Sequence, residues 1–236
     1  MSGYFTIASS LNDYFATHGT FTAQELTQLT AADCLRIFNQ DPANVTICGL
    51  MQLFATALND LGHYLLQYFN GSFIQLRECA GASTERLVQL LTAMPLFNDI
   101  SSYDNLQVPF YKRAQLTAAD LWIAFAGQGL GWFDDLEQLT IFADNLVPHV
   151  LRMDGILQYD SDLARCIDQE ELIPAGSAEE VEIRACAVHA VELLSNELRQ
   201  SGHDVFPMKL DYLLWNRGQQ PRYKAHPRHR TRTVYY

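Results

Sequence analysis

Apolar residues recur at helical spacing through most of this chain. From Ile47 to Phe69 an apolar side chain returns every three or four residues, which predicts a long amphipathic helix ending at Asn70-Gly71. Capping-box patterns at Thr22–Glu25 and Ser177–Glu180 predict two further helix starts, the second opening a helix that ends near Gly202. The same spacing predicts shorter helices over residues 83–94, 114–125, 136–142, 148–155 and 210–215.

Alternating strand patterns are scarce. Only Gln107–Phe110 and the terminal Thr233–Tyr236 have the residue pattern of extended segments. The glycine run Gly127–Gly131 has no predicted strand before it, so it indicates a helix stop and turn rather than a phosphate-binding loop. The pattern as a whole predicts one all-α domain over residues 1–236.

Composition and charge narrow the possible functions. The chain has 236 residues, of which 48% are hydrophobic and 18% charged, as in a globular protein. A net charge of −11 argues against a general nucleic-acid-binding surface. Residues 209–236 carry seven lysines and arginines and one aspartate, so this basic tail has a formal charge of +6 and the rest −17. Such a tail either folds back onto the acidic body or meets an anion.

The cysteines and the N-terminal sequence indicate the expected cellular compartment. The five cysteines are scattered and none has CxxC spacing, so neither a zinc site nor a disulfide framework is predicted. The N-terminal sequence lacks the basic start and apolar run of a signal peptide, and no uninterrupted apolar stretch approaches the ~18 residues of a membrane span. We expect a soluble cytoplasmic protein without a membrane partner.

One acidic residue lies in an apolar segment. Asp144 follows Phe142 within Leu139–His149, where a carboxylate is costly unless it is paired or has a function. Either Asp144 or Asn145 could cap the helix expected to begin at Pro148, and the residues alone favour this structural interpretation over a catalytic one.

Other charged residues also stand in aromatic or apolar runs. Lys112 and Arg113 follow two aromatic residues and are either solvated or functional, and Asp211 lies within the predicted helix 210–215. Glu182 and Arg184 are two residues apart on a helix and cannot pair well, so a structural ion pair with other partners is expected. No known catalytic or nucleotide-binding motif is present. The residues alone therefore predict a possible polar pocket and no particular reaction.

Several of these runs resemble those of the queuosine salvage proteins, the queuosine 5′-phosphate N-glycosylase/hydrolases. The resemblance extends in order from the run that begins at Ser2 to the last residue. Its seven blocks are Asn70–Phe73, Phe110–Gln115, Ala119–Trp122, Leu139–Asp144, Val181–Cys186, Leu210–Trp215 and His229–Tyr236.

The resemblance implies a fold akin to helix-hairpin-helix DNA glycosylases and hydrolysis of the N-glycosidic bond of queuosine 5′-phosphate. The released base, queuine, is salvaged for tRNA modification. The expected partner is a small-molecule nucleotide, with no direct nucleic-acid contact, no metal and no cofactor. Asp144 is implied as the catalytic residue at the ribose. The implied substrate-binding residues are Lys112, Phe142, Asp211, Asn145, Trp215, His229 and Arg230.

Particular roles follow from the chemistry of the implied substrate. Lys112, with His229 or Arg230, is expected to hold the 5′-phosphate, and Asp211 to pair with the amine of the queuine arm. Phe142 and Trp215 are expected to flank the flat base.

Two departures from the family pattern leave alternatives open. Many relatives carry a sizeable stretch ahead of the first matching run, and this sequence starts at that run. Relatives also have a tyrosine and a basic residue after the aspartate and a glutamine after the proline, where this chain has Asn145, Leu146 and His149. The alternatives are a non-catalytic relative that binds a nucleotide or deazapurine, and an N-glycosylase for a different nucleoside.

Overall fold

The structure is a computed structural model that describes residues 3–236; Ser2, where the first family-like run begins, lies outside the described residues. The chain is mostly helical, with 61% of residues in helices and one small two-stranded sheet. This confirms the helical prediction. The chain divides into two compact units, one ending at Cys79 and the other running from Ala80 to Tyr236. The single domain expected over residues 1–236 stays a prediction.

The first unit is entirely helical in its described part. Its core joins Cys34 and Phe38 to Met51 and Ala55 of the long helix. The Thr22 capping box forms as predicted, since Thr22 and Glu25 each accept the other's backbone N–H. The helices of this unit are α1 (Gly3–His18), α2 (Ala23–Leu26), α3 (Ala31–Ile37), α4 (Val45–Tyr68) and α5 (Phe73–Cys79).

Helix α4 matches the long helix predicted from the sequence. By length and composition it could cross a membrane, with a mean hydropathy of 1.2 over its most apolar stretch. One such helix is weak support for a membrane span, because core helices of proteins that never enter a membrane pass the same criterion.

The second unit contains the sheet and the remaining helices. One of its apolar clusters joins residues of four helices, including Val147, Val191, Leu214 and Tyr223. The named elements are α6 (Thr84–Leu91), β1 (Ile100–Tyr103), β2 (Leu106–Pro109), α7 (Lys112–Ala124), α8 (Leu146–Met153), α9 (Ser161–Asp168), α10 (Ala178–Gln200), α11 (Pro207–Gly218) and α12 (Pro221–Lys224).

The two strands form a tight antiparallel hairpin. Ser101 pairs with Val108, and the turn residues Asp104 and Asn105 have positive φ angles of 46° and 64°. This geometry suits a two-residue hairpin turn. The predicted extended segment at Gln107–Phe110 is thus confirmed in the main, whereas the terminal Thr233–Tyr236 forms no strand.

Two local predictions were wrong. The helix expected over residues 136–142 is only a 3-10 turn, Leu136–Gln138. The residues that follow it are irregular because side chains take their backbone donors: Gln115 accepts from Thr140 N at 2.9 Å, and Asp211 accepts from Phe142 N at 2.9 Å. The next helix, α8, begins at Leu146, so Pro148 lies in its first turn but is not its first residue.

The glycine run after α7 is a helix stop, as predicted. Phe125 is the C-cap, and Ala126 and Gly127 then adopt positive φ angles of 50° and 67°. Backbone of this kind ends a helix by satisfying its last carbonyls.

A pair of glycines in α4 tests how tightly the first unit is packed. A Cβ at Gly62 would lie 2.6 Å from the carbonyl oxygen of Ala23 and 2.9 Å from Leu26 Cβ, whereas a Cβ at Gly49 meets nothing within 4 Å. We expect Gly62→Ala to lower the free energy of unfolding by about 1–3 kcal/mol. Gly49→Ala, the matched control, should raise it by about 0.5–1 kcal/mol through helix propensity. Urea unfolding measures both, and equal effects of the two changes would contradict the close packing.

Candidate active site

Asp144 lies immediately before α8 and caps it. Its Oδ1 accepts hydrogen bonds from Leu146 N at 2.7 Å and Val147 N at 3.2 Å. The cap predicted as the structural interpretation is therefore present, and Asp144 rather than Asn145 provides it. The other carboxylate oxygen, Oδ2, accepts no hydrogen bond from the described residues. One oxygen of Asp144 therefore holds the side chain in place, and the other has no hydrogen-bond partner among the described residues.

Asp211, on α11, lies behind the segment that carries Asp144. It is 5% exposed, and its Oδ1 accepts from Phe142 N at 2.9 Å. Burial, and then the nearby Asp144 carboxylate, raise the pKa of Asp211 to about 8, although the Phe142 hydrogen bond and Lys112 lower it. In the free protein at neutral pH, Asp211 is therefore mainly a neutral carboxylic acid.

Lys112, the first residue of α7, completes the cluster. Burial lowers the pKa of its ammonium, whereas Asp144 and Asp211 raise it. These electrostatic effects show that the side chains of Lys112, Asp144 and Asp211 lie within interaction range of one another. Runs of sequence separated by 32 and 67 residues thus come within electrostatic range of one another, and the site roles that the family resemblance implies for Lys112, Asp144 and Asp211 stay predictions.

Phe142 is joined to this cluster through its backbone, and Trp215 lies on the same helix as Asp211. The Phe142 side chain is 4% exposed, and its backbone N–H is tied to Asp211. Trp215 is half-buried and lies one helical turn after Asp211, which places both on the same face of α11.

Asn145 is joined to the C-terminal segment. Its Nδ2 donates to the carbonyl oxygen of His229 at 3.5 Å. Burial and the neighbouring Arg184 lower the pKa of His229 to about 4, so its ring is neutral at pH 7. A neutral imidazole cannot act as a phosphate cation. Arg230 is exposed and forms a loose ion pair with Glu170 at 3.9 Å.

The structure shows a buried ion cluster that the sequence did not reveal. Arg184 lies 1% exposed between Asp99 and Glu180, with Nη2 2.6 Å from Asp99 Oδ2 and Nη1 3.3 Å from Glu180 Oε1. Glu182 bonds the Tyr103 hydroxyl instead. The expectation that Glu182 and Arg184 need separate partners is confirmed. Four-residue helical spacing could have identified Glu180 as a partner, but Asp99 is remote in sequence.

The basic tail folds back onto acidic residues of its own unit. Asp154 pairs with both Arg217, at 3.0 Å, and Arg222, at 2.5 Å. A cleft of about 690 Å³ is found at this place, and it contains none of the clustered residues Lys112, Asp144 and Asp211. The cleft is lined by Leu213, Asn216, Arg217, Gln220, Arg222 and Tyr223.

In residues 3–236, no group of three or more histidine, cysteine or acidic side chains is arranged to hold a metal ion. What the cluster does offer is an ammonium beside two carboxyl groups of different environment. Pairs of carboxyl groups in different environments are common in hydrolases that cleave glycosidic bonds. In a mainly helical chain, this arrangement defines the class as a candidate glycosidic-bond hydrolase.

Comparison with known proteins identifies the family. Residues 1–236 match the family described as queuosine salvage protein, and the chain belongs to that family. A queuosine 5′-phosphate N-glycosylase/hydrolase from Sphaerobacter thermophilus is 41% identical over 99% of this chain and 72% of its own length. Proteins of the same name from Dictyostelium discoideum and Mus musculus are 36% and 32% identical, over 95% and 100% of this chain and 68% and 72% of their own lengths.

The raised pKa of Asp211 predicts a pH-dependent loss of stability. In the unfolded chain this carboxyl has its ordinary pKa of 3.8, whereas the folded value is about 8. Between these values the folded state binds more protons, so its stability falls as pH rises from about 4 to about 8. In Asp211→Asn the amide oxygen can still accept from Phe142 N without a buried charge. We expect this variant to be more stable than the parent at pH 9, by about 1 kcal/mol or more, and the difference to shrink towards pH 5.

Urea unfolding at pH 5, 7 and 9 measures this effect. The matched control is Asp204→Asn, whose side chain is 97% exposed and for which no such pH-dependent difference is expected. A stability difference between Asp211→Asn and the parent that does not grow with pH would contradict the raised pKa.

Proposed function

We propose that this chain hydrolyses the N-glycosidic bond of queuosine 5′-phosphate and releases queuine, as the names of its relatives state for those proteins. The observation that carries the proposal is the convergence of Lys112, Asp144 and Asp211 within a chain of this family. The cytoplasmic location and small-molecule substrate expected from the sequence belong to the same proposal, and the −17 charge outside the basic tail disfavours a nucleic-acid substrate.

Asp144 is the catalytic residue in this proposal. Cleavage of an N-glycoside passes through an oxocarbenium-like transition state. A nearby carboxylate either stabilises this positive charge or activates the water that attacks the anomeric carbon. The Oδ2 atom of Asp144 is suited to this role because the two backbone N–H groups at Oδ1 hold the side chain in one orientation.

The leaving group increases the importance of Asp144. A 7-deazaguanine base lacks the N7 that many glycosylases protonate, so stabilisation of the sugar cation carries more of the rate acceleration. Phe142 and Trp215 contribute flat apolar surface for the base. The implied likeness to helix-hairpin-helix DNA glycosylases is part of this proposal, and the high helix content of the chain is consistent with it.

Asp211 and Lys112 bind the two charged ends of the substrate. The amine on the queuine arm is cationic at neutral pH, and its approach lowers the pKa of Asp211 in the same sense as Lys112 already does. Lys112 supplies a cation for the 5′-phosphate, and Asn145 is a neutral hydrogen-bond donor for the substrate. Because the His229 ring is neutral at pH 7 and Arg230 pairs with Glu170, we assign the principal phosphate contact to Lys112.

The Asp144→Asn variant separates capping from catalysis. Its amide oxygen can accept the same two backbone N–H groups, so the cap of α8 is kept and only the charge is lost. We expect release of queuine from queuosine 5′-phosphate to fall by about 100-fold or more, with melting temperature little changed. Mass spectrometry of free queuine with purified protein measures the rate.

Asp160→Asn is the matched control, because Asp160 caps α9 in the same manner and lies outside the cluster. Its rate should equal that of the parent protein. Full activity of Asp144→Asn would show that Asp144 is a structural cap alone. If the parent protein binds the nucleotide without releasing queuine, the non-catalytic alternative is correct. Release of another base instead would indicate the other nucleoside substrate.

The role of Lys112 predicts a change in substrate preference. Lys112→Met keeps a long side chain and removes the cation. We expect KM for queuosine 5′-phosphate to rise by about 10-fold or more, with a smaller effect on the unphosphorylated nucleoside. Steady-state kinetics on both substrates measure the ratio. An equal loss on nucleotide and nucleoside would contradict a phosphate contact.

A further inference from the structure

A single buried guanidinium links the two segments that carry Lys112 and Asp144. Arg184 Nε donates to the carbonyl oxygen of Ala143 at 3.0 Å, and its terminal nitrogens donate to both carboxylate oxygens of Asp99, at 3.1 and 2.6 Å. Ala143 directly precedes Asp144. The orientation of the proposed catalytic carboxylate thus depends on Arg184 through one peptide unit.

Asp99 extends the connection to Lys112. Its backbone oxygen accepts from Phe110 N at 2.9 Å and from Tyr111 N at 3.2 Å, and its side chain accepts from Lys112 N at 3.3 Å. Tyr111, the N-cap of α7, has a left-handed φ of 47° and makes no side-chain cap bond. A conformation of this kind persists only when the surroundings impose it. Asp99 therefore serves as the cap of α7 from a distant part of the chain.

Aromatic rings and the last residue of the chain enclose the guanidinium. The Arg184 guanidinium carbon lies 3.9 Å from the Phe110 ring centre and 4.8 Å from that of Tyr236. The Tyr236 hydroxyl donates to Glu180 Oε1 at 2.8 Å, and that oxygen also accepts from Arg184. Rotation of the Arg184 side chain would break contacts on all sides, so its position is fixed.

Stability alone is a poor explanation for this cluster. A buried cation with two buried carboxylates loses solvation that its mutual attraction only partly restores, and apolar replacements are often equally stable. What such a network provides is geometry, because a bidentate fork allows one arrangement of its partners.

We propose that Arg184, held by Asp99 and Tyr236, is a positioning residue that sets where the Asp144 carboxylate stands relative to Lys112. This inference rests on the proposed function. Arg184 touches neither the substrate nor the reacting atoms and acts through the Ala143 carbonyl. A displacement of about 1 Å at a catalytic group can reduce the rate about 100-fold.

The test is Arg184→Lys, which keeps the charge but cannot bond both Asp99 oxygens and Ala143 O together. We expect kcat for queuine release to fall by about 10–100-fold and KM to change by less than about 3-fold. The matched control is Arg152→Lys: Arg152 also pairs with a carboxylate, Asp168 at 3.0 Å, and also lies near a tyrosine ring, at 5.3 Å. Its kcat should equal that of the parent.

A double-mutant cycle distinguishes positioning from general damage. If Arg184 acts through Asp144, then Arg184→Lys should cause no further loss of kcat in an Asp144→Asn background. The proposal would be overturned if the kcat losses of Arg184→Lys and Asp144→Asn multiplied in the double variant. It would also be overturned by a folded Arg184→Lys protein with normal kcat. Full activity of Asp144→Asn is a separate result, which defeats the catalytic assignment on which this inference depends.

If Arg184→Lys does not fold, Tyr236→Phe provides a second test of the proposal. It removes only the hydroxyl that bonds Glu180 and leaves the ring beside Arg184. We expect a fall in kcat of about 3–10-fold that also disappears in the Asp144→Asn background. An unchanged kcat in Tyr236→Phe would overturn the proposed role of the C-terminal residue in holding Arg184.

Discussion

The second unit is organised around the ion pair between Arg184 and Asp99. Both side chains are 1% exposed, and they join the residue before β1 to the longest helix of the Ala80–Tyr236 unit. Burying these charges is costly, and the structure offsets the cost by satisfying the guanidinium with two carboxylates and a backbone carbonyl. Once Arg184 is fixed, the start of α7 and the peptide before Asp144 have few other positions available.

In the proposed function, the Asp144 carboxylate serves structure and chemistry together. Capping and catalysis are usually weighed as alternatives, but a carboxylate has two oxygens. Here Oδ1 bonds the first turn of α8 and Oδ2 has no partner among the described residues. The cap supplies the rigidity that a catalytic group requires, because a side chain held by two backbone N–H groups has lost most of its rotational freedom.

The sequence predicted what depends on local periodicity and little that depends on remote partners. The apolar spacing located α4, α10 and α11 because each helix presents a continuous apolar stripe. It failed at Leu139–Phe142, where Gln115 and Asp211 accept from backbone donors that a helix would have used. Neither partner can be deduced from local pattern, since each lies more than 20 residues away.

The candidate site shows the same difference between features that the sequence predicts and features that depend on the fold. Family resemblance indicated Lys112, Asp144 and Asp211, which the structure brings together. Resemblance also indicated His229 as a possible phosphate ligand, but the sequence could not show that burial leaves its ring neutral. Asp99 lies outside every matching run. Its role depends on an 85-residue separation that only the folded chain closes.

The protonation of Asp211 makes the charge of the site adjustable. When Asp211 is neutral, the opposite charges of Lys112 and Asp144 nearly cancel. This limits the electrostatic cost of a partly buried site that holds no ligand. In the proposed function, the substrate brings its phosphate to Lys112 and its ammonium to Asp211. The ammonium would favour loss of the Asp211 proton, and the resulting carboxylate would be paired as it forms. Under this proposal, a base that lacks the amine leaves Asp211 neutral and binds more weakly.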